Sequence, residues 1–315
     1  MTFFAAVQSG QGKTHMIGVA LALIAALLYS TKAIFVKLAY QYDVDSITLL
    51  ALRMLSALPF YLLIQVLYRE RGMPKLRHRH WLGVVIAAFL GHYLASFLDF
   101  WGLQFVDASL ERLILFTYPT FIAILARVWL KEKLSRAQWG AVALSYAGLL
   151  LVFLPRLDQL NPGTQFFAGI LAILGCAVGF AVYMILSQRL IPRFGTTRYT
   201  GYAMILACIF VLAHYLSTNS LGSFGTHATA VYYYGLAMGL VATVVPSYCM
   251  NHAIQRIGAA RTGVIASVGP ISTIALAYLF LGERLVLVQW IGAFCIILAV
   301  TAITRERQVR RTVPG

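Results

Sequence analysis

Ten stretches of mostly apolar residues follow one another with short links, at about residues 16–39, 47–68, 81–105, 108–130, 136–154, 166–188, 198–217, 229–254, 258–281 and 286–303. Each approaches the ~20 residues that an α-helix needs to cross a bilayer. In hydrocarbon the backbone polar groups must pair with one another, so only helices and closed barrels span it. Runs of this length point to helices. Hydrophobic residues make up 60% of the chain and charged residues 11%, with a mean hydropathy of +0.80. A soluble domain has roughly 45–50% and about 25%. The expected class is therefore an all-α polytopic membrane protein with ten transmembrane helices. Residues 16–39 form too long a run for a cleavable signal and read as the first span.

The chain also repeats itself. Gly18 and Gly169, Gln104 and Gln255, Pro119 and Pro270, Glu132 and Glu283, Gln138 and Gln289, and Trp139 and Trp290 all stand 151 residues apart. Residues 16–156 and 157–304 are thus two five-helix repeats, between a cytoplasmic segment at 1–15 and a basic cytoplasmic tail at 305–315.

Lys and Arg give the orientation. Of the basic residues at span ends and in loops, 18 fall on the side of both termini and only three, Lys37, Arg156 and Arg284, on the other. Positive loops stay in the cytoplasm, so both termini face inward, in a bacterial-type inner membrane. The net charge of +15 then reflects topology and contact with anionic lipid headgroups, and calls for no nucleic acid. Five spans is an odd number, so the second repeat enters the bilayer inverted. Inverted repeats hold their solute near the midplane and expose it to either side in turn.

These residues resemble the drug/metabolite transporter superfamily in its EamA branch. The resemblance lies in Tyr118-Pro119, Lys131-Glu132-Lys133 and Gln138-Trp139-Gly140, and in Gly269-Pro270, Gly282-Glu283-Arg284 and Gln289-Trp290-Ile291-Gly292. Lys37 and Arg53 fit the same pattern, whereas Tyr29-Ser30-Thr31 departs from its aromatic-Gly-Ser stretch. It covers essentially the whole chain and implies transport. Its members carry amino acids, sugar-phosphates, nucleotide-sugars and other metabolites, and YddG-type amino-acid exporters are the first comparison among bacterial members.

A charge near the bilayer centre costs at least ~2.5–3.5 kcal/mol, so buried charges mark candidate sites. Lys32, Arg53 and Asp99 fall at similar heights in the outer half, counting 1.5 Å per residue. Glu111 and Arg112 lie one turn inside the outer face, where they are expected to be partly wet. The equivalents of Lys32, Arg53, Asp99, Glu111 and Arg112 are Tyr183, Met204, Met250, Thr262 and Gly263, all neutral. Two readings follow. Lys32 and Arg53 hold a substrate carboxylate, balanced by Asp99, with Asp99 or Glu111 meeting an amino group or a proton. Alternatively, the charges form an ion network that locks spans 1 to 3 together. His92, Trp101, Tyr183 and Tyr248 are further candidates for substrate contact, with Asn251 and His252 as polar neighbours near a span end. Pro119 and Pro270 are candidates for gating or for packing.

No P-loop, dinucleotide fingerprint, metal cluster or nucleophile motif is present, and Cys176, Cys208, Cys249 and Cys295 have no metal-ligand spacing. Neither a cofactor nor an enzyme is expected. The leading expectation is a secondary transporter or facilitator of small organic solutes, most simply an amino-acid exporter. An exchanger of phosphorylated or nucleotide metabolites and an intramembrane enzyme or lipid-handling protein remain alternatives. Ten spans suffice to enclose a cavity, so a monomer is compatible with this reading.

Overall fold

Helices account for nearly all of the residues that the computed structural model describes, which are 2–68, 78–129, 136–155, 165–257, 265–266 and 268–312. The first half contains α1 (Thr2–Tyr40), α2 (Ser46–Leu67), α3 (His78–Gly102), α4 (Ala108–Leu115), α5 (Tyr118–Trp129) and α6 (Arg136–Phe153). The second contains α7 (Gln165–Phe194), α8 (Thr196–Thr218), α9 (Thr229–Ile257), α10 (Val268–Leu281) and α11 (Leu287–Thr312). Six helices, α1 from Met16, α2, α3, α7, α8 and α9, are long and apolar enough to cross a membrane. Shorter apolar stretches run over Trp139–Val152, Val268–Leu281 and Leu287–Ala299. Large apolar side chains face outward, among them Leu63, Val66, Ile209 and Leu279. An exposed apolar surface of this kind suits lipid rather than water.

The core does not divide at the repeat boundary. One buried cluster joins Leu49, Met54 and Tyr61 of α2 and Phe100 of α3 to Met204 and Val211 of α8 and Met238 of α9. A second joins Leu110 and Ile114 of α4 and Val152 of α6 to Ile173 of α7, Ile274 of α10 and Ile296 of α11. Each cluster draws on both halves.

Small residues permit the close contacts. A Cβ on Gly179 would lie 2.7 Å from the Leu90 carbonyl oxygen, and one on Gly239 would lie 2.9 Å from that of Arg53. Cβ atoms on Gly175 and Gly235 would lie 3.1 and 2.9 Å from side-chain carbons of Leu98 and Leu52. Both GxxxG patterns are therefore helix contact faces. Across the cluster of α6 and α11, Cβ atoms on Gly148 and Gly292 would each meet the other glycine's carbonyl oxygen.

Three local breaks escape a hydropathy reading. In α3, residues Ala88–Leu94 wind as a π-helix, and in α9 so do Leu240–Val244. The two segments occupy equivalent positions in the repeat. The fourth apolar run breaks at Phe116 and Thr117, between α4 and α5. Pro119 follows directly, and a proline has no backbone N–H to donate, so the α-helical ladder stops there. Finally, α1 begins at Thr2 instead of residue 16, because a polar helical extension leaves no hydropathy signal.

Candidate functional site

The π-helical turns matter because they redirect side chains. An extra residue in the turn rotates the following helix face, and such turns recur at functional sites. Here they carry His92 and Thr243, which are equivalent in the two repeats, and both line one cavity of about 140 Å³. A single water needs about 10–15 Å³ by the same measure.

The cavity wall follows the repeat. Tyr29 and Phe180, Arg53 and Met204, His92 and Thr243, Ser96 and Ser247, Asp99 and Met250, and Leu115 and Ala266 are pairs of equivalent positions, and both members of each pair line it. In these pairs the first half supplies the charged groups and the imidazole, and the second half supplies Phe180, Met204 and Met250.

The charges divide into two groups. Lys32 Nζ lies 2.6 Å from Asp99 Oδ2 and 3.5 Å from Glu111 Oε1. The side chains are 12%, 1% and 0% exposed, so one ammonium is held between two buried carboxylates, of which Asp99 lines the cavity and Glu111 does not. This triad ties α1 to α3 and α4. Glu111 is fully buried, not partly wet as its height in the sequence suggests, because α4 turns it toward Lys32 instead of the outer surface.

Arg53 stands apart. It is 6% exposed, donates from Nε to Thr243 Oγ1 at 2.7 Å, and lies with Cζ 5.4 Å from the Phe100 ring centroid. Thr243 in turn donates to the Met238 carbonyl at 2.8 Å. One guanidinium nitrogen of Arg53, Nη1, is buried without a hydrogen-bond partner. Arg53 forms no ion pair with Asp99 or any other carboxylate among the described residues; the carboxylates are taken up by Lys32. Arg112, one residue after Glu111, also lines the cavity, and its Nε is likewise buried without a partner.

The remaining candidates lie around this wall. Tyr183 is buried behind His92, with ring centroids 4.3 Å apart and ring planes at 62°. Tyr248 packs against Tyr61 at 5.8 Å and is not on the cavity wall, although its hydroxyl is buried and unpartnered. Trp101 packs on Phe105, away from the cavity. Asn251 donates to Thr200 Oγ1 at 2.6 Å, and His252 lies beside Gln255. Pro270 is buried near the start of α10, beside Gly269, whose carbonyl accepts from Ser30 Oγ at 3.0 Å. Pro119 lies just after the break already described.

Height counting placed Arg112 near the membrane surface and missed its approach to the cavity. The repeat marks Arg112 too, since its sequence equivalent Gly263 is uncharged, but height was read against that signal. Tyr29, Tyr118 and Phe180, which also line the cavity, were passed over because aromatic residues are common throughout the chain.

The Glu-Gln-Trp string proves to be structural in its second copy. Gly282 takes φ +69°, a conformation that suits glycine and ends α10. This turn presents Glu283, whose two carboxylate oxygens accept from the N–H groups of Ala108 and Ser109, each at 2.9 Å. The second repeat thereby caps α4 of the first, placing an anion at the positive end of a helix. Gln289 accepts from Val286 N–H and donates to the Val152 carbonyl. Trp290 faces outward. Glu132 lies outside the described residues.

Comparison with known proteins identifies this arrangement. The EamA-like transporter family matches residues 16–154 and again residues 167–305, so both ends of the second match lie 151 residues after those of the first. The chain belongs to the EamA-like transporter family. It is 33% identical over 288 residues to the uncharacterized transporter YcbK of Bacillus subtilis (strain 168), covering 89% of this chain and 90% of that protein. An uncharacterized transporter of Archaeoglobus fulgidus is 25% identical, with 92% and 97% covered. Protein RarD of Escherichia coli (strain K12) is 25% identical, with 85% and 86% covered. A solved structure with a TM-score of 0.65, at 17% identity, covers 94% of this chain and 99% of its own and shares the fold. As an EamA member the protein is a multi-pass membrane transporter.

Proposed function

We propose that this EamA-family member is a secondary transporter of small organic solutes in the cytoplasmic membrane, with carboxylated metabolites such as amino acids as its first expected cargo. The solute sits in the cavity shared by the two repeats, and the ten spans rock around it in an inverted pair, with both termini in the cytoplasm. One observation carries the reading. Six pairs of equivalent positions contribute both members to the cavity wall, as expected where two related halves meet on their pseudo-symmetry axis, which is where inverted-repeat transporters bind solute. The bias of basic residues to one side supports the orientation. The direction of net transport then follows from the gradient that drives it.

Counterflow into liposomes reconstituted with the full chain tests this. A panel of amino acids and a panel of phosphate esters are loaded in turn, and uptake of the labelled solute is followed. Accumulation from the amino-acid panel alone is the expected result. Accumulation from the ester panel alone would favour a phosphorylated-metabolite exchanger, and no movement of any solute would end the transport reading.

A further inference from the structure

We propose that Arg53 and Arg112 together receive a single carboxylate of the solute, that aromatic rings of the wall hold its apolar body, and that no ammonium group is read. The substrate class is then an organic monoanion with an apolar or aromatic body. This rests on the transport reading and replaces its first expected cargo: carboxylates without an amine rank ahead of amino acids, so exchange of phenylpropionate beside weak counterflow of the amino-acid panel supports it.

The argument begins with which cations are available. Lys32 is held by Asp99 at 2.6 Å and by Glu111 at 3.5 Å. Arg53 and Arg112 reach the same cavity without a carboxylate among the described residues. Each also has a buried guanidinium nitrogen with no partner, Nη1 of Arg53 and Nε of Arg112. Leaving a charged donor buried and unpaired is costly. An incoming carboxylate supplies the missing acceptor, and its two oxygens suit the guanidinium fork. Thr243 holds Arg53 by Nε, which fixes that fork before the solute arrives.

Charge balance gives the same answer. Counted by formal charge alone, Lys32, Arg53 and Arg112 set against Asp99 and Glu111 leave one positive charge. One carboxylate cancels it. A phosphate ester, at about −1.5 to −2, overshoots, and a zwitterion leaves the imbalance in place. Exposure decides against the amine. Asp99 lines the cavity but is 1% exposed with Oδ2 held by Lys32 at 2.6 Å, and Glu111 is 0% exposed and off the wall, whereas the Lys32 side chain is 12% exposed. A solute therefore meets the ammonium first, and a second ammonium is repelled. Tyr29, Phe116, Tyr118 and Phe180 provide the apolar surface, with Phe180 and Tyr118 packed edge to face at 5.0 Å.

Phenylpropionate, phenylalanine, phenethylamine and phenylpropionamide share one body and differ in charge. The purified full-length protein is titrated with each while its thermal stability is followed, and labelled phenylpropionate is used for counterflow. Phenylpropionate should stabilise the protein and exchange, phenylalanine no better, and the amine and amide not at all. Arg53→Gln and Arg112→Gln should each raise the half-saturating concentration about tenfold or more. Arg53→Lys and Arg112→Lys should recover part of the loss, and they carry the test if a Gln variant does not fold. Binding of the amide or amine as tight as that of the acid overturns the proposal, as does full affinity in both Gln variants. If phenylpropionate fails while the wider panel yields another solute, the proposal falls and the transport reading stands. If no solute moves at all, both fall.

Discussion

The two halves share a scaffold and differ in chemistry. Both carry a π-helical turn at the same place, both pack an equivalent glycine, Gly18 or Gly169, tightly against a neighbouring segment, and both contribute equivalent positions to one cavity wall. The first half puts Lys32, Arg53, His92 and Asp99 there, where the second has Tyr183 behind the wall and Met204, Thr243 and Met250 on it. What recurs in both halves belongs to folding and close packing. What occurs once is free to specialise toward the solute.

The comparison breaks most visibly at Lys32. Lys32→Met leaves two buried carboxylates without a cation, and removing one partner of a buried pair costs about 3–5 kcal/mol. The expected result is a large loss of folded, monodisperse protein, relieved in the triple variant Lys32→Met/Asp99→Asn/Glu111→Gln. A triple variant that folds but does not transport would assign the triad to function as well as to folding. Normal expression and transport in the single variant would show that the triad does neither.

A smaller effect is expected at Thr243, the second-half position that serves the first half. Thr243→Val keeps the shape and removes the acceptor for Arg53 Nε. Hydrogen bonds to charged groups contribute about 1.5–3 kcal/mol. Solute affinity should fall by at least about tenfold, whereas His92→Ala at the equivalent position leaves Arg53 anchored. Equal losses in the two variants would count against the division of labour.

Shared packing is sharpened by glycine. Gly179→Ala drives a methyl group toward the Leu90 carbonyl and should destabilise by about 1–3 kcal/mol, read as a lower melting temperature. Gly140→Ala meets nothing within 4 Å and should be neutral or stabilising by up to about 1 kcal/mol. The smallest effect is expected at Glu283→Ala, which removes the cap from α4 at a cost of about 1 kcal/mol and leaves the cavity residues in place.

Much of the fold is legible in the residues because helix length follows from apolar run length. Residues 47–68 and 198–217 foretell Ser46–Leu67 and Thr196–Thr218 within two residues. Lys32, Arg53 and Asp99, which a fixed rise per residue counts to one level, do line one cavity. Direction around the helix axis was not legible. Asp99 and Glu111 turn toward Lys32 while Arg112 reaches the cavity, and only tertiary packing sets that rotation. The π-helical turns shift that rotation again within α3 and α9. The Glu283 cap was hidden because donor and acceptor lie 175 residues apart.

The cap on α4 has a mechanical side. At 1.5 Å per residue, the eight residues of α4 form a rod of about 12 Å. One end is gripped by Glu283 and the other ends at the break before Pro119, with Glu111 and Arg112 in between. The outer grip and the charges at the cavity are thus coupled in series through a single stiff piece. A pull on the turn after α10 cannot displace this rod without also straining the contact between Glu111 and Lys32.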